Sequence, residues 1–185
     1  MSLFSHWLLW LATLSLAGWL YLIFGRGAFW HAEALPEPAV PSRERLPDVV
    51  AVMPARNEAA YVARSLRSLL AQDYPGRFGV VLVDDNSEDL TRTIAEAIPT
   101  RPRRLLEVIG ARPRPAGWSG KLWAVSEGLR RGFERMPDAP YVLLTDADVQ
   151  HDPGNLRRLV AKAEADRLDL VSLIFRLHFL RSTVR

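Results

Sequence analysis

Cysteine is absent from this sequence of 185 residues. A disulfide framework, a thiolate metal site and a cysteine nucleophile are therefore excluded. The four histidines show no metal-ligand spacing, which argues against a zinc enzyme. The chain also lacks an excess of one charge, because 24 basic residues face 21 acidic ones and leave a net charge of +3. Few aromatic residues lie among the arginines, so we expect no nucleic-acid partner.

Charge is missing altogether from the first part of the chain. Leu3–Gly25 contains no formally charged residue, and His6 is its one strongly polar side chain. At about 1.5 Å per residue this length of helix extends roughly 34 Å, enough to cross a hydrocarbon core of about 30 Å. We therefore predict a transmembrane anchor over residues 1–28. Aromatic rings, which favour the headgroup region, lie towards both of its ends: Trp7, Trp10, Trp19, Tyr21 and Trp30.

The alternative for this segment is a cleaved signal peptide, with a possible cleavage site at Ala32–Ala34. A signal peptide usually has a basic start and a shorter apolar run, and this segment has neither. Arginines follow the segment and nothing basic precedes it, so the positive-inside bias predicts that the rest of the chain is cytoplasmic. Residues 29–47 contain four prolines and predict a linker between the anchor and a folded domain.

From residue 48 onwards, apolar runs alternate with helical patterns. The predicted strands are Asp48–Met53, Phe78–Val83, Arg104–Gly110, Tyr141–Thr145 and Asp169–Phe175. The predicted helices are Asn57–Gln72, Asp89–Ile98, Lys121–Arg135 and Asn155–Ala165. The third helix is recognised by one apolar stripe: Leu122, Val125, Leu129 and Phe133. Strands without polar alternation are buried on both faces, so we predict an α/β domain over 48–175, with a mostly parallel Rossmann-like sheet between helices and a tail over 176–185.

Polar and mostly acidic residues follow three of the predicted strands. Pro54–Ala59 follows the first strand, Asp84–Thr91 the second and Asp146–Asp148 the fourth. Ligands of an open parallel sheet bind outside the carboxyl ends of its strands, where these three loops would meet. Helix capping could explain any single loop, because Asp, Asn and Ser are favoured N-caps. It is a poor explanation for all three together.

Five carboxylates at one edge repel each other unless a positive charge lies between them. Mg²⁺ or Mn²⁺ accepts oxygen ligands, typically one or two carboxylates together with substrate phosphates. Asp146 and Asp148 can face one ion while Ala147 turns aside, because residues i and i+2 of extended backbone point the same way. The sequence therefore predicts this pair as ligands of a metal that holds a diphosphate. The five carboxylates are Glu58, Asp84, Asp85, Asp146 and Asp148.

The remaining groups suit a nucleoside and its phosphates. Asp84 or Asp85 can accept hydrogen bonds from a base N–H or from ribose hydroxyls. Arg114–Ala124 is a glycine-containing loop that opens a helix, and Lys121 lies in its first turn. Helix N-terminal amides and an ammonium group favour phosphate, although Lys121 could also be an ordinary surface lysine. The loop is not a P-loop, because Pro115 stands where that motif requires its first glycine.

These motifs resemble those of family 2 glycosyltransferases. Pro54–Glu58 matches the pattern P-x-[RY]-N-E, and Asp84–Thr91 matches D-D-x-S-x-D-x-T at every fixed position. Asp146–Asp148 matches the D-x-D motif, and a basic helix start corresponding to Ser119–Ala124 also occurs in the family. Order and spacing agree over roughly Asp48–Leu173. Within the family, the N-terminal anchor and the segment "GWSGKLWA" most resemble bacterial transferases associated with hopanoid biosynthesis.

The resemblance implies a nucleotide-sugar-binding domain of the glycosyltransferase A type, anchored in the bacterial inner membrane. It implies inverting, metal-dependent transfer of a hexosyl group from a nucleoside diphosphate sugar to a lipid acceptor. A hopanoid is one candidate for that acceptor. Asp146 and Asp148 would bind Mg²⁺ or Mn²⁺. A carboxylate base would deprotonate the acceptor hydroxyl. The residues assigned to the nucleotide sugar are Pro54, Arg56, Asn57, Glu58, Asp84, Asp85, Lys121 and Asp146.

The resemblance fades after about Leu173. In the family the catalytic base and much of the acceptor site come from a second half of the catalytic domain, so no residue of this chain is assigned as the base. We expect the chain to be the donor-binding half of a truncated transferase. The alternative is a membrane-tethered nucleotide-sugar-binding or scaffolding fragment that does not catalyse transfer.

Two other protein classes also place aspartates after strands. A haloacid-dehalogenase-type phosphatase carries D-x-D at its first strand and needs Thr or Val where this chain has Gln150. A response-regulator receiver has an acidic pair after its first strand and a phospho-accepting aspartate after its third. Here those strands lead into Pro54–Ala59 and Gly110–Arg112. Both classes are therefore disfavoured.

Overall fold

A computed structural model describes residues 3–25, 46–100 and 104–173. It divides the chain into two compact units, one that contains the N-terminal helix and one that runs from Pro36 to Val171. The predicted linker up to residue 45 and the predicted tail lie outside the described residues. Leu46, within the predicted linker range, is buried in the core of the second unit, so packing begins before residue 48.

The first unit contains helix α1 (Leu3–Leu20), which continues as a π-helical turn over Tyr21–Gly25. The stretch His6–Gly25 is long and apolar enough to cross a membrane, with a mean hydropathy of 1.8, and none of it is buried. A signal sequence near an N-terminus has the same properties. The helix is therefore as predicted, and its role as an anchor stays a prediction.

The second unit is built on a parallel sheet of four strands in the order β3-β2-β1-β4. Its central strands are buried along almost their whole length, as expected for apolar runs without polar alternation. The predicted parallel α/β sheet is confirmed. The strands are β1 (Val49–Ala55), β2 (Phe78–Asp84), β3 (Arg104–Gly110) and β4 (Tyr141–Leu144).

Helices cover both faces of the sheet. On one face, α2 (Val62–Leu70), α3 (Thr91–Glu96) and α5 (Asn155–Asp166) share a hydrophobic core with alternate residues of the strands. On the other face, α4 (Gly120–Arg135) packs on β1 and β2. Because successive strand residues point to opposite faces, one sheet supplies both cores.

The apolar stripe that identifies α4 in the sequence is not the side that packs on the sheet. The side chains of Leu122 and Phe133 at the two ends of the stripe are 61% and 42% exposed. Contact with the sheet is made through small residues at a four-residue spacing, Ala124, Gly128 and Gly132, all buried. The missing side chains let the helix backbone approach the strands closely, which the hydrophobic period alone does not indicate.

Two element predictions are corrected by the structure. The predicted fifth strand is wrong over the residues described, because Asp169–Leu173 forms no strand. Apolar residues alone do not make a strand without a neighbour to accept its hydrogen bonds. The first predicted helix begins at Val62 rather than Asn57, since Asn57 has a left-handed φ of 55° and a turn precedes the helix.

Candidate functional site

The parallel register brings the loops after β1, β2 and β4 to one edge of the sheet. Ala55 at the end of β1 lies beside Asp84 at the end of β2. The amide of Asp85 continues this pairing by donating to the carbonyl of Ala55 at 2.9 Å. On the other side, the amide of Thr145 donates to the carbonyl of Val52 at 3.2 Å, which places the start of the D-x-D loop next to β1. The three loops therefore meet, as predicted.

An open cavity of about 410 Å³ lies between these loops and the start of α4. Gly120, Ala124 and Ala147 complete its lining, and two of the predicted site residues, Asn57 and Asp84, do not belong to it. Acidic side chains from three loops thus share one space with a basic helix start. The predicted residues that do line the cavity are Pro54, Arg56, Glu58, Asp85, Lys121, Asp146 and Asp148.

The D-x-D loop presents its two carboxylates and buries the residue between them. Asp146 and Asp148 are exposed, whereas Ala147 is buried in the hydrophobic core. Oxygen donors of this kind fit Mg²⁺ or Mn²⁺. In the part of the chain that the structure describes, no group of three Asp, Glu or His side chains could hold a metal ion. A metal at the pair would therefore need further oxygen ligands from phosphate or water.

Electrostatic repulsion within the cavity is visible at Glu58. Its pKa is raised first by partial burial and then by the negative charges of Asp148, Asp89 and Asp146. A carboxylate that feels two others from the opposite loop is in the environment where a cation is favoured. Lys121 supplies positive charge in the same cavity, since its Nζ lies 2.7 Å from Oδ1 of Asp146.

The start of α4 is built to approach the acidic loop after β2. Ser119 is the N-cap, and its Oγ accepts a hydrogen bond from the amide of Leu122 at 3.3 Å. A Cβ on Gly120 would lie 2.5 Å from Oδ2 of Asp85, so a glycine is needed here for the carboxylate to lie against the helix. The first turn of α4 therefore offers helix amides and the ammonium of Lys121 to the cavity.

Asn57, predicted to bind the nucleotide sugar, instead connects two of the loops. Its left-handed backbone lets its amide donate to Oγ of Ser87 at 3.0 Å. Its side-chain Oδ1 accepts from the amide of Glu88 at 2.8 Å. The backbone amide and the side-chain oxygen of Asn57 are thus both engaged with the loop after β2.

The same two loops are joined again at Asp89 and Thr91, which share one hydroxyl-to-carboxylate hydrogen bond. Oδ2 of Asp89 accepts from the amide of Ala59 at 3.1 Å, and Oγ1 of Thr91 accepts from the amide of Glu58 at 2.7 Å. The hydrogen bond from Thr91 is the main reason that the pKa of Asp89 is lowered. Fixed motif positions therefore hold the first loop against the second, which the sequence does not reveal.

Asp84 lies beneath the cavity rather than in its wall. It ends β2, its side chain is buried, and Oδ1 accepts from the amide of Ser87 at 3.4 Å. Its partner in the motif, Asp85, is half-buried, lines the cavity and faces the start of α4. Of the two aspartates predicted to contact a nucleoside, Asp85 has the access.

An ion pair that the motifs do not include fixes the connection from β3 to α4. Arg112 donates from Nε and Nη2 to Glu127 at 2.6 and 2.7 Å, and the Glu127 side chain is 2% exposed. Arg112 is the main cause of the lowered pKa of Glu127. The carbonyl of Arg112 accepts from the indole Nε1 of Trp123 at 2.8 Å. The sequence signal for this ion pair was Glu127 itself, which lies among the small residues of the buried face of α4. A buried carboxylate needs a charged or hydrogen-bonding partner.

A parallel α/β sheet with acidic loops around a cavity at its carboxyl edge is the architecture expected of a Rossmann-like domain of the glycosyltransferase A type. The model of glycosyl transferase family 2 matches residues 50–184, and the chain belongs to this family. The predicted family is therefore confirmed.

Two curated relatives extend the comparison. The chain is 33% identical over 140 residues to the succinoglycan biosynthesis protein ExoO of Rhizobium meliloti (strain 1021), a match covering 72% of this chain and 36% of the relative. It is 34% identical over 164 residues to the beta-monoglucosyldiacylglycerol synthase of Synechocystis sp. (strain ATCC 27184 / PCC 6803 / Kazusa), covering 84% of this chain and 31% of the relative. The chain thus spans about a third of the length of either relative.

Among solved structures, residues 1–349 of S. aureus TarS in complex with UDP-GlcNAc superpose with a TM-score of 0.52 and 25% identity. The match covers 65% of this chain and 32% of TarS 1–349. The narrower resemblance to hopanoid-associated transferases finds no support in these comparisons and stays a prediction.

Proposed function

We propose that this chain binds the donor of a family 2 glycosyltransferase, a nucleoside diphosphate sugar, in the cavity at the carboxyl edge of the sheet. The observation that carries the proposal is the meeting of Glu58, Asp85, Asp146 and Asp148 with Lys121 around one space of about 410 Å³. UDP-GlcNAc in the TarS structure is a ligand of the expected class. Uridine and guanosine diphosphate sugars are the donors to test first.

Each part of the donor has a chemically suitable neighbour. The carboxylate of Asp85 can accept hydrogen bonds from ribose hydroxyls or a base N–H. Lys121 and the first amides of α4 can bind phosphate oxygens. Pro54 and Arg56 line the cavity at the end of β1, where they can shape the pocket for the base. Asn57 and Asp84 would act indirectly, by holding the loops.

Mg²⁺ or Mn²⁺ fits the pair Asp146 and Asp148, because both are exposed oxygen donors on one side of the loop. When bound, the ion would neutralise charge on the diphosphate, which is the leaving group of sugar transfer. The protein's own contribution is to hold the two carboxylates and Lys121 in place. No described residue is assigned as the base that deprotonates the acceptor.

We further propose that the acceptor is a lipid and that transfer takes place at the cytoplasmic face of a membrane. The Synechocystis relative is named as the synthase of a glycolipid, beta-monoglucosyldiacylglycerol. The apolar stretch His6–Gly25 could keep the domain near such an acceptor. A hopanoid is one lipid to include in the test, on the strength of the sequence resemblance.

Donor binding is tested by isothermal titration of the full chain in detergent micelles with UDP and GDP, with and without Mn²⁺ or Mg²⁺. We expect metal-dependent binding by the wild type and loss of the metal-dependent part in Asp148→Ala. Asp138→Ala is the matched control, because Asp138 lies in an exposed turn before β4, whereas the D-x-D loop follows that strand, and it does not line the cavity. Unchanged metal dependence in Asp148→Ala would remove the assigned role.

Transfer is tested separately, with radiolabelled UDP-glucose or UDP-GlcNAc and extracted bacterial lipids as acceptors. A labelled lipid product that is lost in Asp148→Ala supports a transferase. Donor binding without product would restrict the function of this chain to nucleotide-sugar binding, the alternative that the sequence left open.

A further inference from the structure

A buried histidine lies under the D-x-D loop and outside the cavity. His151 is 6% exposed, and its imidazole has a polar neighbour at each ring nitrogen. Nε2 is 2.9 Å from Oγ1 of Thr145, and Nδ1 is 3.2 Å from Nδ2 of Asn155. Thr145 and Asn155 are themselves buried, so these contacts are shielded from water.

The direction of these hydrogen bonds follows from the amide group. The Nδ2 of Asn155 can only donate, so Nδ1 of His151 accepts and the ring proton is on Nε2. Nε2 then donates to the hydroxyl of Thr145, whose own hydrogen is directed to the carbonyl of Asp146, 3.4 Å away. The histidine therefore ties the end of the acidic loop back to its beginning.

The loop is also fastened to α2 by two serine hydroxyls. The backbone amide of His151 donates to Oγ of Ser68 at 2.9 Å, and Oγ of Ser65 donates to the carbonyl of Val149 at 2.6 Å. Ala147 is anchored in the hydrophobic core between the two exposed aspartates. Residues 145–151 thus form a closed loop that is held by contacts with α2 and the hydrophobic core, and Asp146 and Asp148 lie on its exposed side.

We propose that His151 is a positioning residue for the acidic pair. By bonding Thr145 it fixes the loop that carries Asp146 and Asp148, and thereby sets the affinity of the cavity for a divalent cation and a diphosphate. The inference rests on the proposed donor-binding function. Partners that orient metal ligands from behind typically contribute about ten- to 100-fold in affinity, although they never touch the metal.

The test compares His151→Leu, which removes both ring nitrogens, with His151→Gln, whose side-chain amide can still donate to Thr145. Val160→Ala is the stability control, because Val160 is buried in the core on α5 but lies outside the loop. Binding of UDP to the full chain in micelles is titrated with and without Mn²⁺, at a temperature where all variants are folded. Amide hydrogen exchange over residues 145–151 is measured on the same samples.

We expect His151→Leu to weaken the Mn²⁺-dependent binding of UDP about tenfold and to leave the Mn²⁺-independent binding unchanged. Faster exchange in the loop should accompany this loss. His151→Gln should recover most of the affinity, and Val160→Ala should retain it. If His151 were merely structural, His151→Leu would weaken Mn²⁺-dependent and Mn²⁺-independent binding together, and Val160→Ala would do the same.

Two results would overturn the inference while leaving the proposed function intact. One is Mn²⁺-dependent binding of equal strength in His151→Leu and the wild type. The other is an equal loss in Val160→Ala. If the wild type binds neither UDP nor GDP with either metal, the proposed function fails and the role of His151 in binding fails with it.

Discussion

The close packing of α4 on the sheet leads to a prediction about Gly128. A Cβ at this position would lie 2.3 Å from Cγ1 of Val52 and 3.0 Å from Cγ2 of Val83. Both valines are fully buried in the two central strands, so neither can turn aside without displacing other core residues. In Gly128→Ala the helix itself must therefore move away from the sheet.

Two opposing effects decide the change in the free energy of unfolding. Alanine favours a helix over glycine by about 1 kcal/mol. Overpacking a core costs about 1 to 3 kcal/mol, and an approach as close as 2.3 Å belongs at the upper end of that range. We expect a net loss of about 2 kcal/mol, which for a domain of this size lowers Tm by about 6 °C.

The measurement is urea unfolding of the full chain in detergent micelles, followed by circular dichroism at a wavelength that reports helix. Ser126→Ala is the control on the same helix, at a half-buried position where a Cβ is already present. It should be stabilised by a few tenths of a kcal/mol through helix propensity alone. If Gly128→Ala is as stable as the wild type, the small-residue face of α4 is not in close contact with the sheet.

Three further predictions concern charged groups. Gly120→Ala should displace the carboxylate of Asp85 and weaken UDP binding about tenfold, while the free energy of unfolding measured in urea changes by less than about 0.5 kcal/mol because that carboxylate can rotate. Lys121→Gln should weaken UDP binding, as seen by titration, with little effect on stability, since its pair with Asp146 is exposed and such pairs contribute at most about 1 kcal/mol. Hydrogen bonds from two arginines of α4 lower the pKa of Glu107 below its ordinary value of 4.5. These hydrogen bonds therefore stabilise the fold fully above pH 4.5, and the stabilisation is lost as the pH falls through the lowered pKa. Glu107→Gln should therefore lose less stability than the wild type in urea titrations taken to acid pH, and an equal loss would contradict the assignment.

Strands were the most predictable part of the fold. Their apolar runs lack alternation because both faces of the sheet are covered, and β3 has the predicted bounds, Arg104–Gly110. The run at Asp169–Leu173 has a similar composition but no strand partner. Composition reports what a segment can bury, whereas pairing depends on a neighbour that the segment itself does not specify.

Helix α4 shows the limit of periodicity as a guide to packing. Its apolar stripe identifies a helix correctly, but the sheet is contacted by Ala124, Gly128 and Gly132. Small residues gain contact by letting backbones approach, an effect that a count of apolar side chains misses. The stripe at Leu122 and Phe133 is therefore a surface feature of the described domain.

The gathering of the site could be predicted because parallel strands end at one edge, and this rule does not depend on side-chain detail. The role of each motif residue could not be predicted in this way. Asn57 reaches Glu88 and Asp89 reaches Ala59, contacts that bridge about 30 positions of sequence and exist only after β1 and β2 have paired. A polar residue in a motif can serve the ligand or the loop that carries the ligand, and the sequence pattern is the same for both.

Charge within the cavity determines how a divalent cation and a diphosphate must affect each other. Four lining carboxylates face two cationic side chains, and the pKa of Glu58 is raised by its partial burial and then by the negative charges of its neighbours. A diphosphate adds negative charge, so its binding should be favoured by the cation, and by linkage it must raise the affinity for the cation by the same factor. Titrating Mn²⁺ with and without UDP, and UDP with and without Mn²⁺, measures that factor twice. If UDP binds equally well without the cation, Lys121 and the first turn of α4 are sufficient to hold the phosphates.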